Sequence, residues 1–182
     1  MKRPPAEAAR SIFLMGMMGS GKSTLGRALA DELGRRFVDL DDRVAQRAGF
    51  AIPEIFARYG ESRFRDLESA ALAELRQTNG LVVALGGGTP LRAANRRMLR
   101  EGGCVVYLRT RPATLVRRLG QQTDRPLLRD ADDPEATLRK LLAEREPLYE
   151  ESAHVVIENE SEEDVAVREL VRVLTHQGWL RP

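Results

Sequence analysis

A three-layer αβα sandwich around a five-stranded parallel sheet is the architecture expected of this chain. Five short apolar runs recur along its 182 residues, and each is followed by a segment whose apolar residues return at helical spacing. The first run leads through a glycine-rich loop into a helical pattern, the setting in which backbone amides cradle a polyphosphate. The length suffices for one well-buried core and is too short for two ordinary domains.

The strands are expected at 11–15, 37–40, 81–85, 105–108 and 155–157, each a short run rich in Val, Ile, Leu or Phe. Helices are expected between them, first at 22–33 and then over 41–59 in two pieces broken near Gly49 and Pro53. Further helices are expected at 61–77, 91–100, 112–119, 134–149 and 162–174. Thr110 ahead of Arg111 and Pro112 reads as an N-cap followed by an early helical proline. Right-handed crossovers between parallel strands put the ligand beyond the carboxyl ends of the sheet. Between residues 120 and 133 the pattern lapses into polar residues with a proline and no helical stripe, which marks a mobile lid. The organisation expected is a disordered tail over 1–10, one domain over 11–174 with its acceptor-binding region at about 41–68, and a C-terminal tail over 175–182. Trp179 and Leu180 are expected to pack back on the surface.

The loop is Gly16-Met-Met-Gly-Ser-Gly-Lys22-Ser23. Its glycines allow a tight turn whose N–H groups point inward, and the helix that follows adds its unpaired donors and positive dipole end. In this pattern Lys22 reaches the β- and γ-phosphates and the Ser23 hydroxyl takes a place on magnesium. Lys22 is a choice rather than a compositional accident, because the cations are nearly all arginine and the only lysines are Lys2, Lys22 and Lys140. Gly19, Ser20, Gly21, Lys22, Ser23 and Thr24 are therefore the residues expected to bind a nucleoside triphosphate.

On the acceptor side, the run Asp39-Leu40-Asp41-Asp42 puts Asp39 and Asp41 on one side of an extended chain, facing the loop, with Asp42 read as a helix cap. The third strand ends in Gly86-Gly87-Gly88 instead of a metal-holding Asp, so Asp39 is the natural supplier of the metal carboxylate. Three glycines after a strand let a ligand approach the backbone and leave N–H groups for an anion; a plain flexible turn is the competing reading. Arg65 flanks the stripe Phe64, Leu67, Ala71 and Leu75, and on these residues alone it pairs with Glu68 three positions on.

Taken in order, Gly-Met-Met-Gly-Ser-Gly-Lys-Ser, Asp-Leu-Asp, Phe-Arg, Gly-Gly-Gly, Arg-Pro-Leu-Leu and Arg145-Glu146-Pro147-Leu148-Tyr149 resemble the shikimate kinases in sequence and interval, from about residue 11 to 174. The resemblance implies a fold of the P-loop kinase type and transfer of the ATP γ-phosphoryl to the 3-hydroxyl of shikimate, a step toward chorismate and the aromatic amino acids. It also implies roles: Lys22 and Ser23 for ATP and Mg2+, Asp39 near the metal through water, Asp41 at the ring hydroxyls. Arg65, Gly87 and Arg145 would hold the shikimate carboxylate and the neighbouring hydroxyl. Arg125 would be the lid arginine that swings onto the phosphates, and Arg118 would lie against adenine. Lys22, Asp41 and Arg125 are thus the expected catalytic group. Residues 158–161 lie where the family places an adenine-contacting loop, but nothing in them marks base contact.

Two rival readings stay open on the sequence. One is a related kinase acting on gluconate or a nucleoside monophosphate; the other is a nucleotide-gated binding module, which would need no small-acceptor pocket. A net charge of +2 with acids and bases interspersed implies no nucleic acid partner, and the chain has no membrane-spanning stretch, so a cytoplasmic monomer acting on a small molecule is expected. Cys104 begins an apolar run and reads as a buried strand residue, and His154 and His176 read as structural or exposed.

Overall fold

The computed structural model describes residues 10–120 and 133–181. Five parallel strands form one sheet: β1 Ser11–Met15, β2 Arg36–Asp39, β3 Leu81–Ala84, β4 Gly103–Arg109 and β5 Val155–Glu158. They lie in the order β2-β3-β1-β4-β5. The chain therefore passes from β1 to the edge strand β2, returns to β3 beside β1, and then adds β4 and β5 on the other side. The crevice beyond the carboxyl end of β1 is where such a sheet takes its ligand. The register runs Ile12 beside Val82 on one side and beside Cys104 on the other.

The helices are α1 Lys22–Leu33, α2 Leu40–Ala48, α3 Ile52–Leu75, α4 Ala93–Gly102, α5 Pro112–Leu119, α6 Pro134–Ser152 and α7 Glu163–His176, with a short 3-10 turn at Thr89–Leu91. Alternation along the strands splits the core into two. Phe13, Met15, Val105 and Tyr107 point to the layer of α2 to α6, where they meet Leu40, Ile55, Leu72, Leu99 and Leu138. Ile12, Leu14, Cys104 and Val106 point to the other layer, against Leu25 and Leu29 of α1 and Leu170 and Leu174 of α7. This is the three-layer arrangement expected.

Helices 22–33 and 112–119 have the expected bounds, while Asp41, the α5 cap and the chain ends differ from expectation. Asp41 is in the first turn of α2 rather than on an extended chain, because the Asp39 side chain accepts from the Asp41 N–H at 3.0 Å and caps the helix. The N-cap of α5 is Arg111, not Thr110, since Pro112 takes the first helical position. Instead, the Thr110 hydroxyl donates to the Asn159 carbonyl at 3.4 Å. Residues 52–75 run as one element interrupted at Gly60, whose φ of 76° and ψ of 173° separate two helical pieces where the break between 59 and 61 was expected. The chain ends are more engaged than tails, since Thr175 and His176 belong to α7 and the Arg10 carbonyl accepts from Arg35, while Trp179 and Leu180 pack back as expected, against the α1 and α7 side of the core. The proposed lid lies mostly outside the described residues, and Arg125 lies wholly so. No helix among the described residues is long and apolar enough to cross a membrane.

Candidate active site

The loop between β1 and α1 is shaped by two left-handed glycines. Gly19 has φ 77°, and Gly21, the N-cap of α1, has φ 85° and ψ 14°. Both conformations are strained for any residue with a Cβ, and space forbids one as well: a Cβ on Gly19 would sit 2.8 Å from Leu119. As a glycine, Gly21 brings no side chain to cap α1, so the first-turn N–H groups face the loop and suit an anion. Lys22 curls over the loop, its Nζ donating to the carbonyls of Gly16 at 3.0 Å and Met17 at 2.7 Å. The Ser23 hydroxyl donates to Asp39 Oδ2 at 2.6 Å, which joins the start of α1 to the end of β2.

On the nucleotide side, a cleft of about 540 Å³ opens next to the loop, lined by Gly19, Gly21, Thr24, Arg118, Asn159 and Ser161 among others. Arg118 donates to the Ser161 carbonyl at 3.2 Å, so the expected adenine arginine forms one wall. Asn159 is a residue that the sequence reading left out. Buried at 4% exposure, it donates from Nδ2 to the Ser20 carbonyl at 2.7 Å and thus braces the phosphate loop from the end of β5. Its neighbour Glu160 accepts from the Thr114 hydroxyl at 2.6 Å and from the Arg111 N–H at 2.7 Å. Desolvation pushes the Glu160 pKa up, but these hydrogen bonds and the charges of Arg111 and Arg118 outweigh it and hold the carboxyl below its usual range.

The acceptor side is organised by Gly86, Gly87 and Gly88. A Cβ on Gly86 would lie 2.9 Å from Asp41 Oδ1 and 2.8 Å from Glu68 Oε1. One on Gly87 would lie 3.7 Å from Arg145 and also 3.7 Å from the Met18 amide of the phosphate loop. One on Gly88 would lie 2.4 Å from the Arg65 guanidinium. Successive glycines therefore give access to Asp41, Arg145 and Arg65, and the middle one touches the phosphate loop. At Gly86 and Gly88 a side chain would collide with the protein's own Asp41, Glu68 and Arg65.

Arg65 also makes the ion pairs that its helical spacing suggests, to Glu68 at 3.1 Å and to Glu61 at 3.0 Å. Burial alone would lower its pKa, and the two carboxylates reverse this and raise it. Glu68, the partner that helical spacing gives Arg65, is fully buried and accepts from the Thr89 hydroxyl at 2.7 Å. It accepts from the Arg65 guanidinium, which also lies against Gly88. Cys104 is buried in β4, where desolvation pushes its thiol up to about 12, so it is an inert core residue.

The family model described as shikimate kinase matches residues 18–175. The chain belongs to the shikimate kinase family. It is 52% identical over 147 residues to a shikimate kinase of Bordetella avium, covering 81% of this chain and 70% of that protein. It is 50% identical over 151 residues to one of Pseudomonas fluorescens, covering 83% and 87%. The fold matches shikimate kinase from Acinetobacter baumannii in complex with shikimate, with a TM-score of 0.87 at 41% identity over 94% of this chain and 97% of the other. A gluconokinase from Sinorhizobium meliloti shares the fold at a TM-score of 0.56 and 21% identity over 94% and 98% of the two chains. Membership makes this enzyme an ATP-dependent kinase.

Proposed function

We propose that the enzyme transfers the γ-phosphoryl of ATP to the 3-hydroxyl of shikimate, giving shikimate 3-phosphate and ADP, in the cytoplasm and as a monomer. The supporting observation is the grouping of Asp41, Arg145 and Arg65 on three consecutive glycines, one of them in contact with the phosphate loop. A small acid held by two guanidinium groups there would present a hydroxyl toward the loop, next to Asp41. Guanidinium groups recognise a carboxylate through paired N–H donors, which suits this acceptor.

In this reading the amides of residues 19–24 and Lys22 hold the polyphosphate, with Arg118 beside the adenine. Lys22 offsets charge on the transferring group, and Arg125 is assigned to the same task by resemblance. Ser23 and Asp39 fit Mg2+: two hard oxygens 2.6 Å apart lie next to the phosphate loop. Among the described residues no group of three or more His, Cys, Asp or Glu forms a ready cage. That suits an ion held by one or two protein oxygens together with phosphates and water. When bound, the ion supplies neutralisation of phosphate charge. Asp41 accepts the hydrogen bond of the acceptor hydroxyl and aligns it for in-line attack; the transition state is loose, so alignment matters more than basicity.

A coupled assay of ADP release with shikimate, gluconate and AMP tests this. Turnover is expected with shikimate alone. Turnover with gluconate or AMP instead would move the enzyme to a related specificity, and tight ATP binding without any phosphorylated product would favour a nucleotide-gated binding module.

A further inference from the structure

Tyr149 is a fully buried residue of α6, four positions after Arg145 and hence on the same helical face. Its ring packs at a tilt against Tyr107, centroids 5.2 Å apart, and a phenylalanine would pack there equally well. What needs a reason is the hydroxyl. It donates to the Gly87 carbonyl at 2.6 Å and lies 3.5 Å from the Met17 sulfur of the phosphate loop, while Arg145, whose charge acts on it, has Nη1 3.7 Å from where a Cβ on Gly87 would sit. These three partners belong to the three elements that meet at the acceptor site.

The proton is committed. Desolvation, only partly offset by Arg145 and Arg65, pushes the phenol up to about 12, so it remains a donor to Gly87 and keeps its lone pairs available to a neighbouring donor. From behind, the Tyr107 hydroxyl donates to Glu146 at 3.2 Å, and Arg109 donates to the same carboxylate oxygen at 3.0 Å, so α6 is pinned to β4 next to Arg145. A guanidinium has five N–H donors in a fixed fork; a bond from one side of it to the Tyr149 hydroxyl would aim the rest of the fork.

We propose that Tyr149 is a positioning residue for the acceptor: its hydroxyl ties Arg145 to the Gly87 carbonyl and so fixes the guanidinium that receives the substrate carboxylate. This rests on the shikimate reading given above. The test is Tyr149→Phe beside the wild type, with saturating ATP and Mg2+, using shikimate and its neutral methyl ester as acceptors. The variant is expected to raise the shikimate KM roughly tenfold, with kcat falling by less than KM rises, and to lower the preference for the acid over the ester by about the same factor. That preference is a ratio within one protein, so a partly unfolded variant leaves it readable. In an Arg145→Lys background the Tyr149→Phe change should add less than about twofold to KM, because its effect passes through Arg145. An unchanged preference in Tyr149→Phe, or full additivity with Arg145→Lys, overturns the proposal while the acceptor reading stands. A wild type with no shikimate-dependent turnover brings down the acceptor reading and the proposal together.

Discussion

Replacing Arg65 by alanine separates its ion pair with Glu68 from the acceptor contact proposed for it. Its side chain is 16% exposed and that of Glu68 is 0% exposed, with 3.1 Å between Arg65 Nη1 and Glu68 Oε2. Removing the guanidinium leaves a buried carboxylate with Thr89 as its remaining strong partner, and breaking such a pair costs about 3–5 kcal/mol. The partial exposure of Arg65 puts this enzyme near the lower figure, which corresponds to a fall in Tm of roughly 6–12 °C for a domain of this size. The acceptor loses a charged contact as well, worth about 2–5 kcal/mol; with Arg145 still present the lower figure applies, roughly thirtyfold in shikimate KM. The assay is initial rate against shikimate concentration at saturating ATP, with thermal unfolding of the same sample. A variant whose Tm falls while its shikimate KM stays at the wild-type value would refute the reasoning, since Arg65 would then serve Glu68 alone.

Three further outcomes are expected. Lys22→Ala should lower turnover by roughly a hundredfold or more with the unfolding transition retained, because the role proposed for Lys22 is charge stabilisation rather than packing. Asn159→Ala should cost about 1–3 kcal/mol of stability and raise the ATP KM more than the shikimate KM, as the lost bond braces the phosphate loop at Ser20; titrating each substrate separately checks this. His154 accepts from the Val105 N–H at 3.1 Å, and burial together with Arg100 and Arg10 lowers its pKa. A lowered folded-state value means the unfolded chain binds the proton more readily, so this contribution is complete above about pH 6.5 and is lost as pH falls below it toward the folded-state value. Tm measured from pH 7.5 downward should show the loss, and His154→Asn should flatten it.

The αβα layers were legible because each strand carries its two-sided burial in its own letters: Ile12 and Leu14 face one layer, Phe13 and Met15 the other. The phosphate loop was legible because its chemistry is local, with glycines, lysine and serine within eight residues. Asp41 was misread as extended although the sequence held the signal. An Asp N-cap followed by Asp41 and Asp42 in the first turn is a helix start, and the strand pattern of 37–40 masked it. Thr110 was preferred over Arg111 because threonine is the better cap, yet Pro112 at the first helical position decides where the cap falls. Asn159 and Tyr149 could not be read from neighbours, since their partners Ser20 and Gly87 lie 139 and 62 residues away. Glu68 carried a partial signal, being three residues from Arg65, but its full burial comes from the meeting of α3 with the glycine turn.

Phosphorus NMR of the mixture after incubating the enzyme with ATP, Mg2+ and shikimate bears most directly on the central claim. A new phosphomonoester resonance growing in step with ADP, and absent when shikimate is left out, is the expected result. ATP that persists, or decays only to inorganic phosphate, would contradict the account.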